Sequence, residues 1–244
     1  MAAIGEIKAT YIFHSGFAIE TASATLIFDC YTDPSGIVGK LVECGKPVYF
    51  FASHRHPDHF SPMIFEYADS GNVSYILSAD IRRFLKKLDN PPYPKIHLLH
   101  AKEHYQDSIL KATAMPSTDI GVSFCVEIDG KTIFHAGDLN LWHGKDEPDE
   151  KKRKEAYGNF KAALRTIKES GFSEFDLAMF PVDYHVGTDC QEGARIFVRE
   201  FYVKHFIPMH FWDCPEKAIN FELYANKEHG EYHALTTPSE SITL

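Results

Sequence analysis

The chain has 244 residues, of which 44% are hydrophobic and 24% charged, and its formal net charge is -9 at pH 7. These proportions are ordinary for a globular protein and exclude disordered and fibrous architectures. Because 34 acidic residues outnumber 25 basic ones, a nucleic-acid partner is disfavoured, since phosphate backbones are bound through accumulated lysine and arginine. We therefore expect one domain over residues 1–244 that acts on a small molecule, as a monomer or a homo-oligomer.

Neither a leader nor a membrane span is visible in the sequence. Residues 1–10 contain no basic segment followed by an apolar stretch, and no later run approaches the ~20 apolar residues of a membrane span. The five cysteines are scattered and form no C-x-x-C pair, which is typical of reduced thiols rather than a disulfide framework. Both observations predict a cytoplasmic protein without a membrane attachment.

The first part of the chain is rich in predicted strands. Alternating apolar residues, interrupted by small polar ones, predict an opening meander with strands at 9–14, 17–20 and 25–29. The next run, 47–52 (PVYFFA), is continuously apolar, which is typical of a strand buried on both faces. Polar residues begin where this strand stops, at Ser53.

Helical signals follow this strand. Ser61-Pro62 has the pattern of an N-cap followed by proline at the first helical position, so a helix is expected over 63–67. Residues 73–77 predict a strand, and residues 79–88 predict an amphipathic helix that ends before two prolines.

Residues 121–135 contain the clearest hairpin. Asp129-Gly130 supplies a type I′ turn between the runs VSFCVEI and KTIFH. The densely charged residues 142–157 then predict a surface excursion that becomes helical through Ile167.

The last predicted elements are two buried strands, at 176–182 and 205–209, with a helix at 191–201 between them. The order of all these elements predicts an α/β (α+β) fold, in which helices cover both sides of a two-sheet core.

Three predicted strands end in residue types that bind metals. These residues are His54, His56, Asp58 and His59 after the strand at 47–52, Asp138 after the hairpin, and His210 after the strand at 205–209. In the spacing H-x-H-x-D-H, a turn can direct two imidazoles to one side and a carboxylate with an imidazole to the other. Nitrogen and carboxylate ligands suit Zn²⁺, and also Mn²⁺ or Fe²⁺.

The H-x-H-x-D-H run at 54–59 resembles the hallmark of the metallo-β-lactamase superfamily. Within that superfamily the chain is most similar to the branch related to L-ascorbate-6-phosphate lactonase. The further elements of this likeness are FHSGF at 13–17, IFHAGD at 133–138, FPVD at 180–183 and IPMHF at 207–211. The likeness extends from about residue 8 to 212. Of its elements, only the H-x-H-x-D-H run at 54–59 is strongly specific.

The resemblance implies a four-layered αβ/βα sandwich with the metal site along one edge of the sheets. It also implies one or two divalent ions, with Zn²⁺ favoured over Mn²⁺ and Fe²⁺. In this assignment a first ion takes His54 and His56, a second takes Asp58, His59 and His210, and Asp138 bridges the two.

One element of the family pattern is missing. The family places another histidine of the first site shortly before the hairpin, but residues 114–119 read AMPSTD and residues 105–134 contain no histidine. The first site is then completed by water or by Ser117, Thr118 or Asp119, or it is left empty.

The implied reaction is hydrolysis of a small, anionic ester, lactone or phosphodiester by a metal-bound hydroxide. Coordination to a metal lowers the pKa of water from about 15.7 to about 7 and thereby supplies a nucleophile at neutral pH. Asp58 is a candidate for a second role, in which it orients that hydroxide or accepts its proton. Two alternatives remain: a nuclease or RNA-processing enzyme of the same superfamily, and a metal-binding protein that has lost catalysis.

Four further polar residues lie near these motifs. His14 either lines the pocket or is a hydrogen-bonded structural histidine, and His135 is expected to support or pack against the site rather than bind metal. His185, just past a strand end, is a candidate for substrate binding, proton delivery or metal ligation. Asp183 is a candidate to hold a metal-binding histidine in place.

Overall fold

The structure is a computed structural model that describes residues 5–221 and 230–244, so residues 1–4 of the N-terminal segment considered above lie outside it. The first sheet contains β1 (Lys8–Phe13), β2 (Gly16–Glu20), β3 (Thr25–Phe28), β4 (Val48–Ala52), β5 (Val73–Ser78), β6 (Ile96–Leu99) and β14 (Ser241–Thr243). Their spatial order is β14-β1-β2-β3-β4-β5-β6. The strands from β3 to β6 are parallel to one another, so their carboxyl ends lie at one edge of the sheet.

The second sheet contains β7 (His104–Gln106), β8 (Leu110–Pro116), β9 (Val122–Ile128), β10 (Lys131–His135), β11 (Glu174–Pro181), β12 (Tyr202–Met209) and β13 (Glu231–Tyr232). Their spatial order is β13-β12-β11-β10-β9-β8-β7. The strands from β10 to β13 are parallel, so this sheet also has a shared edge of carboxyl ends.

The helices of the described residues are α1 (Ile37–Glu43), α2 (Arg82–Leu85), α3 (Glu150–Glu169), α4 (Glu192–Glu200) and α5 (Pro215–Ile219). Short 3-10 turns cover Pro62–Tyr67, Ala79–Ile81, Tyr93–Lys95 and Tyr184–Val186. No helix in the described ranges combines the length and the apolar character that crossing a bilayer requires.

Two apolar cores define the layers. On β3, Leu26 and Phe28 belong to the large core that also contains residues of the second sheet, whereas Ile27 belongs to a second core with α1. This alternation follows from the period of two along a strand, because successive side chains point to opposite faces of the sheet. Residues of α3 and α4 pack on the second sheet, which gives the order helices, sheet, sheet, helices that the sequence predicted.

The predicted hairpin is present in the structure, whereas two predicted helices are shorter or are 3-10 turns. At the predicted hairpin, Asp129 and Gly130 both have positive φ, and Ile128 pairs with Lys131. Ser61 caps the predicted helix at 63–67, but the turn that follows is a 3-10 turn. The helix expected over 79–88 is also shorter than predicted, since it is a 3-10 turn followed by α2, which ends at Leu85.

The charged segment 142–157 is irregular at first and then helical, as its composition predicted. The Asp149 carboxylate accepts hydrogen bonds from the backbone N–H groups of Lys151 and Lys152, so α3 begins at Glu150. Phe160, on the buried side of this helix, packs into the large core. This burial offsets the entropy cost of ordering a segment whose outer face is mostly charged or polar.

Candidate metal centre

The predicted ligands lie together at the edge where both sheets present the carboxyl ends of parallel strands. His54, His56, Asp58 and His59 follow β4, Asp138 follows β10, and His210 follows β12. Two turns add His14, between β1 and β2, and Asp119, between β8 and β9. The sequence offered Asp119 as one of three residues that could complete the first site, whereas it did not assign His14 as a ligand. These eight side chains form two groups of four, and within each group one donor atom per residue lies within 4.8 Å of the others.

We call His54, His56, Asp119 and Asp138 the first group. His54 Nε2 lies 2.9 Å from His56 Nδ1 and 3.3 Å from Asp138 Oδ2. His56 Nδ1 lies 3.4 Å from Asp119 Oδ2, so this carboxylate occupies a place next to the two histidines. Of the candidates to replace the missing histidine, the structure therefore brings Asp119 to the group.

We call His14, Asp58, His59 and His210 the second group. Asp58 Oδ2 lies at its centre, 3.5 Å from His14 Nε2, 3.7 Å from His59 Nε2 and 3.8 Å from His210 Nε2. The sequence predicted three of these residues as ligands of one ion. His14 is the fourth; its ring is buried, and neither ring nitrogen has a hydrogen-bond partner among the described residues.

Asp138 lies between the two groups. Its Oδ2 faces His54 Nε2 of the first group, whereas its Oδ1 lies 3.0 Å from His59 Nε2 and 3.3 Å from His210 Nε2 of the second. One carboxylate thus directs a separate oxygen toward each group, which is the arrangement that a bridging ligand requires.

Several buried polar atoms at this place have no hydrogen-bond partner among the described residues. They are Nδ1 and Nε2 of His14, Nε2 of His59, Nε2 of His210 and Oδ1 of Asp138. A buried polar atom without a hydrogen-bond partner lowers the stability of a protein by about 1–3 kcal/mol. Several such atoms that face one point therefore indicate that an ion or a ligand binds there. Imidazole nitrogens and a carboxylate oxygen are donors that suit a divalent cation, so the residues present fit a metal ion.

Carboxylates behind the histidines fix how the rings are presented. His59 Nδ1 lies 2.7 Å from Asp29 Oδ2, and His210 Nδ1 lies 2.8 Å from Asp183 Oδ2. Because a carboxylate accepts, each Nδ1 donates, and each Nε2 is left to face the centre. The contact of Asp183 agrees with the role predicted for it, whereas Asp29 was missed by the sequence reasoning.

Ser53 links the first group to the same support. Its hydroxyl donates to Asp29 Oδ2 at 2.6 Å and lies 3.0 Å from His54 Nδ1, from which it can accept. The backbone N–H of Ser53 donates to Asp29 Oδ1 at 2.7 Å. Asp29 therefore orients histidines of both groups, through one direct contact and one serine.

The backbone is strained at three of these positions. His14, Asp29 and His210 have φ values of 57°, 41° and 61°, in the left-handed region that side chains other than glycine seldom adopt. The backbone N–H of His210 donates to the carbonyl of His14 at 3.3 Å, which joins a turn of the first sheet to a strand end of the second. Such strain persists where surrounding contacts enforce it, and it is concentrated at functional sites.

The charges of the site shift the pKa of its members in opposite directions. Burial opposes protonation of His59, but the charge of Asp138 and the hydrogen bond to Asp29 outweigh it and raise the pKa of His59 to about 10. Burial dominates at His14 and lowers its pKa to about 4, against the attraction of Asp58.

The carboxylates respond to the same contacts. Burial alone would raise the pKa of Asp138 and Asp58, but neighbouring histidines, His59 for Asp138 and His14 for Asp58, hold both well below the usual range. Both carboxylates are therefore ionised at neutral pH and are available to a cation.

His185 lies outside both groups. Its ring is 54% exposed, its Nδ1 lies 2.8 Å from Asp183 Oδ1, and its ring contacts that of Tyr184. Asp183 thus connects His185 to His210 of the second group. His135 is buried, donates from Nε2 to the carbonyl of Ser15 and stacks on Phe28, as expected of a supporting residue.

A cavity of about 700 Å³ opens beside the two groups. Asp58, Asp138 and His210 contribute to its lining, together with residues of α3 and of the loop before it. These residues include Trp142, His143, Lys152 and Glu155, so the cavity offers an aromatic ring, a cationic side chain and a further carboxylate near the donor groups.

The chain matches no protein-family model. It is 23% identical over 244 residues to a UPF0173 metal-dependent hydrolase of Symbiobacterium thermophilum, over 96% of this chain and 98% of the relative. Igni18, a metallo hydrolase from the archaeon Ignicoccus hospitalis, has a TM-score of 0.68 and 16% identity over 98% of both chains. YhfI of Bacillus subtilis, described as a metallo-beta-lactamase fold protein, has a TM-score of 0.62 and 14% identity over 98% of this chain and 99% of its own.

The structural neighbours confirm the fold class predicted from the sequence, with two sheets enclosed by helices. The relatives that are named metal-dependent hydrolases support an enzyme of the hydrolase class.

Proposed function

We propose that this chain, a protein of the metallo-β-lactamase fold, is a metal-dependent hydrolase whose two donor groups hold one or two divalent cations, Zn²⁺ before Mn²⁺ or Fe²⁺. The observation that carries the proposal is the position of Asp138, which directs one oxygen toward His54 and the other toward His59 and His210. A cation in each group would share this carboxylate. The orphaned buried nitrogens around it support the same conclusion.

A divalent cation bound at this centre would lower the pKa of water and polarise the substrate group that is attacked. The chain itself supplies the orientation of the donors. Asp29 and Asp183 hold the rings of His59 and His210, so that their Nε2 atoms face the centre without reorganisation. Asp58 borders the cavity at the middle of the second group, where its carboxylate is placed to hold the attacking water or accept its proton.

His185 is the second candidate for a catalytic role. Its Nδ1 contacts Asp183, its ring is half-exposed, and imidazole is a common proton donor in enzymes. We propose that it delivers a proton to the leaving group. An ordinary surface role for His185 predicts that its replacement leaves the pH profile of the reaction unchanged.

The cavity supports a small, anionic substrate. Its volume of about 700 Å³ suits a small molecule, and Lys152 and His143 in its lining can meet a negative group of the substrate. An ester, a lactone or a phosphodiester would meet these conditions. A phosphorylated lactone, the substrate type of the L-ascorbate-6-phosphate lactonase-like branch, is the first class that we propose to test.

Metal content and turnover measured together test the proposal. The metal-loaded protein is assayed with a phosphorylated lactone, a neutral lactone, an aryl ester and a bis-aryl phosphate. We expect turnover of at least one class, and its loss in Asp138→Ala. No turnover of any class by fully loaded protein would favour a metal-binding protein without catalysis, and turnover of RNA instead would favour the nuclease alternative.

The anionic preference has its own variant and control. Lys152→Gln is expected to raise KM for the phosphorylated lactone several-fold and to leave KM for the neutral lactone unchanged, because only the former carries a charge for the lysine to meet. Lys151, the preceding residue of α3, does not line this cavity and is largely exposed, so Lys151→Gln is the matched control. Equal effects of both variants would remove Lys152 from the binding site.

A further inference from the structure

A third cluster of donor residues lies on the second sheet, away from the two groups. It consists of His205 on β12, Glu231 on β13 and His233, which follows β13. His205 Nδ1 lies 3.1 Å from His233 Nε2 and 3.6 Å from Glu231 Oε2, and His233 Nε2 lies 3.8 Å from the same carboxylate oxygen. We call these residues the edge trio.

The sheet itself brings the edge trio together. β13 is the edge strand and pairs in parallel with β12, so that Glu231 lies beside His205. The backbone N–H of His233 donates to the carbonyl of Phe206 at 2.9 Å, which extends the pairing by one residue. Residues two apart along a strand point to the same face, so the side chains of Glu231 and His233 emerge together on the face of His205.

The separations of the donor atoms fit a shared cation. Ligands at about 2.0–2.2 Å in a tetrahedral arrangement lie about 3.3–3.5 Å from one another. A hydrogen bond accounts for the 3.1 Å contact between the imidazoles, but not for the 3.6 and 3.8 Å contacts to Glu231. All three atoms nevertheless converge on one point.

We propose that His205, Glu231 and His233 bind a divalent cation of the zinc type, at a site separate from the catalytic centre. Two imidazoles and one carboxylate form a donor set that Zn²⁺ adopts, with water in the fourth position. The site is distinct because His205 lies four positions before Met209, the last residue of β12, which places it about 13 Å along the strand from the end where His210 follows. The proposal rests on these donors alone and does not depend on the proposed hydrolase.

Burial keeps the two imidazoles of the edge trio in the neutral form that binds a metal ion. The side chains of His205 and His233 are 8% and 12% exposed, and desolvation lowers the pKa of both, so both rings are neutral at pH 7. Glu231 is 72% exposed and closes the site from the solvent side. Because β13 has only two residues, the cation would fasten this short edge strand to β12.

Metal content of the full chain tests the edge trio. The protein is stripped with a chelator and reloaded with Zn²⁺ at micromolar free concentration, and bound zinc per chain is measured. Glu231→Gln and His233→Asn are each expected to hold one equivalent less than the wild-type protein. Glu174→Gln, at an exposed glutamate that begins the neighbouring β11, is the matched control and is expected to hold the wild-type amount.

Two further measurements place the lost equivalent. Asp138→Ala, which removes the carboxylate shared by the catalytic groups, is expected to keep the zinc of the edge trio. A crystal of the Zn²⁺-loaded protein is expected to show an anomalous peak among the three side chains. Should His233→Asn fail to fold, Glu231→Gln decides, since its largely exposed side chain tolerates the change. Equal zinc content in the wild-type protein and Glu231→Gln, or a peak that needs millimolar zinc in the crystal, would overturn the proposal.

Discussion

Replacement of Asp29 by asparagine tests how the protein holds His59. Asp29 is fully buried, and its two oxygens accept three hydrogen bonds, from the backbone N–H of Ser53, from the Ser53 hydroxyl and from His59 Nδ1. Asparagine has nearly the same size and tolerates the left-handed backbone that Asp29 adopts. The variant therefore changes the charge and the acceptors and little else.

The structure sets the size of the effect. An amide offers one oxygen and one NH₂ group, so the NH₂ group must face at least one of the three donors. Losing one hydrogen bond to a carboxylate costs about 1.5–3 kcal/mol. For a domain of this length, about 2–4 °C per kcal/mol gives a fall in Tm of roughly 3–12 °C. Loss of the carboxylate behind a metal-binding histidine lowers metal affinity by about 10- to 100-fold.

Urea unfolding of the metal-free protein and zinc titration against a competing chelator measure the two effects separately. Asp176→Asn is the matched control, because Asp176 also accepts a backbone hydrogen bond, from Thr132, but lies outside both donor groups. The control is expected to lose stability and to keep zinc affinity. Wild-type zinc affinity in Asp29→Asn, with stability lowered, would refute the reasoning that Asp29 positions His59 for a metal ion.

Four other outcomes are expected. Asp138→Ala removes nearly all metal from the catalytic groups, which elemental analysis checks against the wild-type content. In a Glu231→Gln background, which removes the edge trio's zinc, zinc titrates in two steps. Calorimetry shows the tight step lost in His210→Ala and the weak step lost in His54→Ala, since the second group is the more buried; the reverse assignment would contradict this order. Gly121→Ala lowers Tm and disturbs the first group, because a Cβ atom there would meet the carbonyl of Ser53 and the Cβ atom of His54 at a backbone φ of 80°. Asp107→Asn lowers the free energy of unfolding by about 1–2 kcal/mol at pH 7. Partial burial alone would raise the pKa of Asp107, but hydroxyl and amide donors hold it below its usual value. The stability that the carboxylate contributes is therefore present above about pH 4, and the unfolding curves of the wild-type protein and the variant converge as the pH falls.

The part of the centre that could be predicted from the sequence is the part carried by parallel strand ends. His54, Asp138 and His210 each follow a buried strand, and the carboxyl ends of such strands meet at one edge of a sheet. Their pattern of apolar run followed by polar ligand is local, so it is visible in the sequence. The hairpin at Asp129-Gly130 is local in the same sense.

The part that could not be predicted depends on how the two sheets dock. His14 reaches the second group only because its turn contacts a strand end of the other sheet. The sequence left Ser117, Thr118 and Asp119 open for the first group, and only the turn between β8 and β9 brings Asp119 to it. Asp29 could have been suspected from its position: it directly follows β3, as Ser53 directly follows β4, and the two strands are parallel neighbours. β6 and β7 were missed because their residues are mostly half-exposed and lack a clear alternation.

The donors of the proposed metal centre are far apart in the order of synthesis. His14 belongs to one of the first turns of the chain, whereas His210 lies 196 positions later and contacts it through the backbone. At about 5–20 residues per second, about 10–40 s pass on the ribosome between the appearance of the two residues. A nascent chain therefore carries isolated histidines for most of its synthesis, and the centre can select its metal only after both sheets have closed. Which cation the protein holds in a cell would then reflect the ions available to the released, folded chain.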